Sequence, residues 1–182
     1  MNPAILELFH RLKSGDESVQ CNAIVGLMML LERAMKRPEA NEELCGMFLT
    51  KDILAQHLSP AEVEEILGEA VEALNWGELF RSTRVSLFWA IFKVADLKYG
   101  DVLLQFFSAQ ADTFDEQEAF SSVAQLTDFV MRAEGNAPCI RGLLAKHRIM
   151  SVLERLQMGP SARLRESVAA LIIYLQKAKV AN

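Results

Sequence analysis

Hydrophobic positions repeat with the spacing of helix faces along almost the whole chain. Between residues 16 and 36, apolar side chains recur every three or four positions and nearly encircle the segment. The segment over 60–75 carries apolar residues on one face and glutamates on the opposite face. Further stripes of the same kind cover 79–95, 101–111, 115–133, 138–157 and 161–178. This spacing predicts helices rather than strands, so we expect an all-α protein.

Polar residues and glycines at the ends of these stripes predict where the helices begin and end. Ser59-Pro60-Ala61-Glu62 combines a capping serine, a proline at the first helical position and a glutamate at the third, which is typical of a capping box. Similar boxes are predicted at 14–17, with Ser14 as the cap, and at 113–116, with Thr113 as the cap. Glycines follow four of the apolar runs, where a left-handed closing residue is expected. They are Gly77, Gly100, Gly135 and Gly159.

Apolar pairs open helical runs at nearly constant intervals along the chain. The pairs begin at Ile5, Ile53, Val102 and Ile149, which are 48, 49 and 47 residues apart. A period of this size is typical of stacked helical units, each of which buries its apolar face against its neighbours. We therefore predict a single helical-repeat domain, residues 1–182, with about four units. Their approximate ranges are 3–50, 51–98, 99–147 and a truncated 148–182.

Three segments resemble repeats of the armadillo/HEAT superfamily. Residues 12–23 read Leu-Lys-Ser-Gly-Asp-Glu-Ser-Val-Gln-Cys-Asn-Ala, similar to the turn and helix start of an armadillo repeat. Residues 86–95, which contain Trp89-Ala90-Ile91-Phe92-Lys93, are similar to the family's Trp-Ala-Leu-x-Asn segment, and 135–175 is similar to another repeat. The resemblance implies a right-handed α-solenoid of short helical units.

The resemblance also implies a binding face. In peptide-binding armadillo proteins, a tryptophan and an asparagine four residues later line the concave groove. Trp89 keeps the aromatic residue, whereas Lys93 replaces the asparagine. The equivalent pairs elsewhere are Val25/Met29, Ala124/Asp128 and Ala170/Tyr174. We predict that the four pairs form one ladder with Trp89 as its main contact; the alternative is that Trp89 belongs to the core.

Charge is distributed unevenly along the chain. Residues 1–136 contain 11 Lys/Arg and 22 Asp/Glu, a net charge of −11, whereas 137–182 contain 8 and 2, a net charge of +6. This asymmetry indicates a bipolar surface or an electrostatically steered partner. We expect basic residues such as Arg163 and Arg165 to meet an acidic protein surface, or a second copy head to tail in a salt-sensitive contact. Nucleic acid is the weaker expectation because the domain as a whole is acidic.

Features of membrane and secreted proteins are missing from the sequence. No apolar run reaches the ~18–20 residues that a bilayer span needs, and no basic leader precedes the first apolar residues. The three cysteines, Cys21, Cys45 and Cys139, are odd in number and far apart. That usage is typical of reduced thiols, so we expect a cytoplasmic protein without a membrane partner.

Motifs for chemistry are missing as well. The sequence has no glycine-rich phosphate loop, no zinc-binding His-Glu-x-x-His and no Gly-x-Ser-x-Gly. We therefore expect no catalytic residue, metal or cofactor. The predicted function is a non-enzymatic protein–protein interaction module, a scaffold or adaptor that uses a curved helical face. The alternative is a small-molecule or lipid-binding helical domain in which the helix over 16–36 lines a pocket.

Overall fold

The computed structural model describes residues 2–34 and 58–178, and regular structure in these ranges is helical throughout. The α-helices there are α1 (Pro3–Leu12), α2 (Glu17–Ala34), α3 (Pro60–Ala73), α4 (Arg81–Val94), α5 (Gly100–Gln110), α6 (Glu116–Arg132), α7 (Ala137–Lys146), α8 (Ile149–Gln157) and α9 (Ala162–Lys177). Short 3-10 turns precede α5, follow it, and precede α7. The all-α prediction is confirmed for this part of the chain.

The chain forms two compact units, Met1–Val94 and Ala95–Asn182. In the first unit, α2 packs against both α1 and α4, and α3 packs against α4. In the second, α9 packs against α8 and α6, while α7 contacts α5 and α8. The predicted run that opens at Ile53 lies outside the described residues, and the four-unit division stays a prediction.

Helices α2 and α4 supply much of the core of the first unit. Nearly all sides of α2 are apolar, and Ala23, Ile24 and Leu27 are buried, as expected for a helix packed between two neighbours. The rings of Phe88 and Phe92 on α4 are fully buried with their centres 5.0 Å apart. Both helices therefore contribute buried side chains to the core of this unit.

The apolar stripe over 138–157 forms two helices, α7 and α8, and α8 begins at Ile149, where an apolar pair predicts the opening of a helical run. Arg148 separates them in a left-handed conformation, with φ 54° and ψ 37°. The side chain of the preceding His147 lies 2.7 Å from Asp101 on α5. Leu144 and Ile149 are buried on either side of the break, so the apolar stripe continues across it.

The predicted left-handed glycines are also wrong, since no described glycine has a positive φ. Gly100 instead opens α5, where helices approach closely. A Cβ atom at this position would lie 2.9 Å from Leu143 Cδ1 and 3.1 Å from Phe129 Cζ. A Cβ atom would therefore oblige the Leu143 and Phe129 side chains to shift, so the glycine eases packing at this position and its backbone angles are ordinary.

The capping box at Ser59 is confirmed. The Glu62 N–H donates to Ser59 Oγ at 3.3 Å, and the Ser59 N–H donates to Glu62 Oε2 at 2.9 Å. The other two predicted caps are wrong by two residues, because the carboxylates of Asp16 and Asp115, each one residue before its helix, accept the first backbone N–H groups of α2 and α6. A carboxylate accepts backbone N–H groups and also favours the positive end of the helix dipole, whereas the Ser14 and Thr113 hydroxyls bond within the preceding turns.

Candidate interaction surfaces

The predicted ladder residues occupy two equivalent positions in α2, α4, α6 and α9. The ninth residues of these helices are Val25, Trp89, Ala124 and Ala170. The thirteenth residues are Met29, Lys93, Asp128 and Tyr174. The alignment made from apolar stripes therefore matches the places where the helices begin. Whether the four pairs form one continuous ladder stays a prediction.

Helices α2 and α4 run side by side in the same direction. Near their N-terminal ends, the Ser82 hydroxyl donates to Glu17 Oε1. Near their C-terminal ends, Lys93 Nζ lies 2.5 Å from Glu32 Oε1. Two contacts in the same order along both helices establish this parallel arrangement.

Burial of the ladder positions in the first unit is extensive. Met29 is buried, and Trp89 is half-buried. The side chains of Glu32 and Lys93 are only 6% and 27% exposed. The Lys93 ammonium thus compensates a buried carboxylate. The sequence stripes placed Glu32 beside an apolar run and gave no sign of this pairing.

Helices α6 and α9 of the second unit repeat the parallel arrangement. The Ser161 hydroxyl donates to Glu116 Oε1 at 2.7 Å, and the Arg163 guanidinium lies 3.9 Å from the centre of the Phe120 ring. Glu116 opens α6 just as Glu17 opens α2, and each accepts from a serine at the start of the neighbouring long helix. The two units therefore use the same polar contact to set the register of packed helices.

The ladder positions of α6 and α9 are more exposed than those of α2 and α4. Ala124, Asp128 and Ala170 are exposed, and Tyr174 is half-buried. Met131, which is 54% exposed, lies seven residues after Ala124 on the same helix face. Met131 is not among the residues predicted to bind a partner, although it lies two helical turns after Ala124 on the same face. Among the predicted positions, those on α6 and α9 offer the more accessible surface.

The two arginines predicted to meet a partner already have contacts within the second unit. Arg165 donates from Nη1 to the carbonyl oxygens of Gly159 and Pro160, at 2.9 and 2.7 Å. Arg163 remains exposed while it stacks on Phe120. Arg165 therefore holds the turn between α8 and α9, a structural role that its charge alone did not reveal.

Other basic side chains of the C-terminal segment pair with acidic residues of the same unit. Lys146 Nζ lies 2.6 Å from Asp101 Oδ1, and His147 Nε2 lies 2.7 Å from the same oxygen. Arg155 contacts Asp112 through two nitrogen–oxygen distances of 3.2 Å. Part of the charge asymmetry seen in the sequence is therefore neutralised within the second unit.

Replacing Asp101 with asparagine should remove a pH-dependent part of the stability. Hydrogen bonds from Lys146, and then from His147, hold the pKa of the Asp101 carboxyl below its usual value of 3.8. A lowered folded-state pKa contributes stability above the unfolded-state pKa and loses it as the pH falls through the folded value. Denaturant titrations should show a difference between wild type and the variant at pH 7 that shrinks below about pH 4. A difference that is constant with pH would contradict the assignment. Glu154→Gln, at an exposed position of α8, is the control.

Comparisons with protein-family models, curated proteins and solved structures found no match for this chain. No helix in the described ranges has the length and apolar character needed to cross a membrane. The same residues contain no group of three His, Cys, Asp or Glu side chains placed to hold a metal ion. The surfaces of the packed helices are the candidate functional sites in these ranges.

Proposed function

We propose that this chain is a non-enzymatic protein–protein interaction module, a scaffold or adaptor built as an armadillo/HEAT-like α-solenoid. The observation that carries the proposal is the repeated parallel packing of long helices, α2 with α4 and α6 with α9. Stacked units of this kind present extended surfaces, and such surfaces serve recognition in helical-repeat proteins. The polar contacts of Glu17 with Ser82 and of Glu116 with Ser161 support an internal repeat.

The outer side of α6 and α9 is the surface that we assign to the partner, and we call it the α6–α9 face. It comprises Ala124, Asp128, Met131, Ala170 and Tyr174. Small side chains at Ala124 and Ala170 let a partner approach the helices closely, while Met131 and Tyr174 offer apolar contact area. Aromatic side chains and methionine are enriched at interfaces, and polar residues at the rim set orientation. Trp89 on α4 is the corresponding aromatic contact in the first unit.

We expect the partner to be a protein that contacts both acidic and basic side chains of α6 and α9. Asp128 pairs with Arg132 at 3.4 Å, and Arg163 is exposed at the N-terminal end of α9. An acidic partner surface would find Arg163 available, whereas Arg165 is engaged with the preceding turn. The alternative of a ligand pocket lined by α2 has no specific support, because α2 packs against α1 and α4. A cytoplasmic location remains our expectation.

Site-specific photocrosslinking tests the assignment of the α6–α9 face. A benzophenone amino acid would be placed at Ala124 or Ala170, and at Gln105 or Glu154 as controls on exposed positions of α5 and α8. We expect discrete protein adducts from the first pair and none from the controls. An adduct with twice the mass of the chain would identify a second copy as the partner. Adducts of equal yield from all four positions, or from the controls alone, would contradict the proposal.

Tyr174→Ala supplies an independent measurement on the same surface. Loss of the Tyr174 side chain should reduce the adduct yield from the probe at Ala170, because a large contact is removed beside it. Circular dichroism would establish that the variant is folded, and Gln105→Ala would serve as the matched surface substitution. An unchanged yield with a folded Tyr174→Ala variant would exclude Tyr174 from the interface.

A further inference from the structure

We propose that Met158 is a site of reversible oxidation by peroxides, a property separate from the interaction function. Its side chain is 87% exposed, far more than that of any other large apolar residue in the described ranges. Met131 follows at 54%, Met28 and Met150 are half-buried, and Met29 is 4% exposed. Access of the oxidant to sulfur governs the rate of methionine oxidation, so Met158 is the first of these sulfurs to react.

The backbone that carries Met158 is held by groups other than its sulfur. The Met158 N–H donates to the Arg155 carbonyl and the Gly159 N–H to the Leu156 carbonyl, each at 3.1 Å. Arg165 then binds the Gly159 and Pro160 carbonyls from the other side of the turn. The thioether therefore projects from a turn whose conformation does not depend on it.

The reaction needs only a peroxide as co-reactant. A lone pair of the thioether sulfur attacks the distal peroxide oxygen, a sulfur–oxygen bond forms and the oxygen–oxygen bond breaks. Hydrogen peroxide leaves as water, or an alkyl hydroperoxide as the alcohol, after proton transfer to the departing oxygen. Sulfur loses two electrons and the peroxide gains them, so the product is methionine sulfoxide.

Oxidation at this position changes the surface without disturbing the core. The sulfoxide is polar and remains in water at Met158, whereas the same group at buried Met29 would place an unpaired dipole in the core. Singly oxidised protein should therefore keep its fold while an apolar side chain on the α8–α9 turn becomes polar. Methionine sulfoxide reductases can reverse this change, which distinguishes a reversible modification from oxidative damage.

Limited treatment of the full chain with hydrogen peroxide, followed by peptide mass mapping, tests the proposal. Among the methionines of the described ranges, Met158 should be the first to gain an oxygen atom, and protein oxidised at Met158 alone should unfold at the same temperature as untreated protein. Mapping by peptide separates methionine from the exposed thiol of Cys139. Incubation with a methionine sulfoxide reductase and a dithiol should restore the original mass.

Two matched variants decide the outcome. Met158→Leu should abolish the first methionine oxidation event, whereas Met131→Leu should leave it unchanged. Oxidation of Met28, Met29, Met131 or Met150 before Met158, an unchanged order of oxidation in Met158→Leu, or a lowered unfolding temperature after oxidation of Met158 would each overturn the proposal.

Discussion

Replacing Gln20 with leucine should lower the free energy of unfolding by about 2–4 kcal/mol, although the two side chains have similar volume. Gln20 is fully buried at the start of α2. Its Nε2 donates to the carbonyls of Ser14 and Glu78, both at 2.8 Å, and its Oε1 accepts from the Phe80 N–H at 3.1 Å. The substitution removes three hydrogen bonds and leaves two carbonyls and one N–H group without this partner, and desolvated groups of this kind are costly.

The position of Gln20 explains why one amide has so large an expected effect. It joins the turn between α1 and α2 to the turn between α3 and α4, so it sets the register of two helix pairs. Urea unfolding of the two proteins would measure the change from the transition midpoint and slope. Asn22→Leu is the matched control, because Asn22 lies on the exposed side of α2 and its replacement should change stability by about 0.5 kcal/mol or less. Equal effects of the two substitutions would contradict the structural role of Gln20.

Gln20 also shows where prediction from the sequence stops. Helix α2 begins at Glu17, one residue after the predicted start at residue 16, and Gln20 lies in the segment that resembles an armadillo motif. Its bonding partners near Glu78 are about sixty residues away along the chain. Periodicity reports which face of a helix is apolar, but the partner of a buried polar group depends on which turns meet in space.

The break between α7 and α8 shows a related limit. The apolar pair at Ile149 predicts where α8 begins, whereas the left-handed conformation of Arg148 is one that this residue type rarely adopts, and no pattern in the sequence predicts it. Gly100 shows a further limit, because the sequence marks this glycine as the end of an apolar run but does not show its packing. The side chains that a Cβ atom would crowd, Leu143 and Phe129, reach this position only when the helices are assembled.

The predicted ladder residues do occupy equivalent positions in their helices. The ninth and thirteenth residues coincide in α2, α4, α6 and α9 because the stripes also fixed the relative starts of these helices. Exposure could not be predicted in the same way. Met29 is buried while Ala124 and Ala170 are exposed, since exposure depends on the neighbours of each helix rather than on its own pattern.

Replacing Lys93 with methionine should destabilise the protein by about 2–4 kcal/mol, because Glu32 would keep a buried carboxylate without its cation. This loss of stability is somewhat smaller than the ~3–5 kcal/mol typical of breaking a fully buried ion pair, because the Lys93 side chain is 27% exposed. Arg33→Met is the control, as Arg33 neighbours Glu32 in sequence but is exposed. Chemical denaturation at neutral pH would measure both variants, and a neutral Lys93→Met would show that the ion pair is dispensable.

The double variant Glu32→Leu, Lys93→Met distinguishes the contribution of the ion pair to stability from any direct contact between Lys93 and a partner. Removing both charges replaces the pair with apolar side chains, which is often neutral or stabilising, so the double variant should recover most of the lost stability. Destabilisation by the sum of the two single effects would contradict this coupling. If Lys93→Met and the folded double variant both lose the crosslinked partner, Lys93 contacts that partner directly. If only the single variant loses it, the lysine acts by holding α2 against α4.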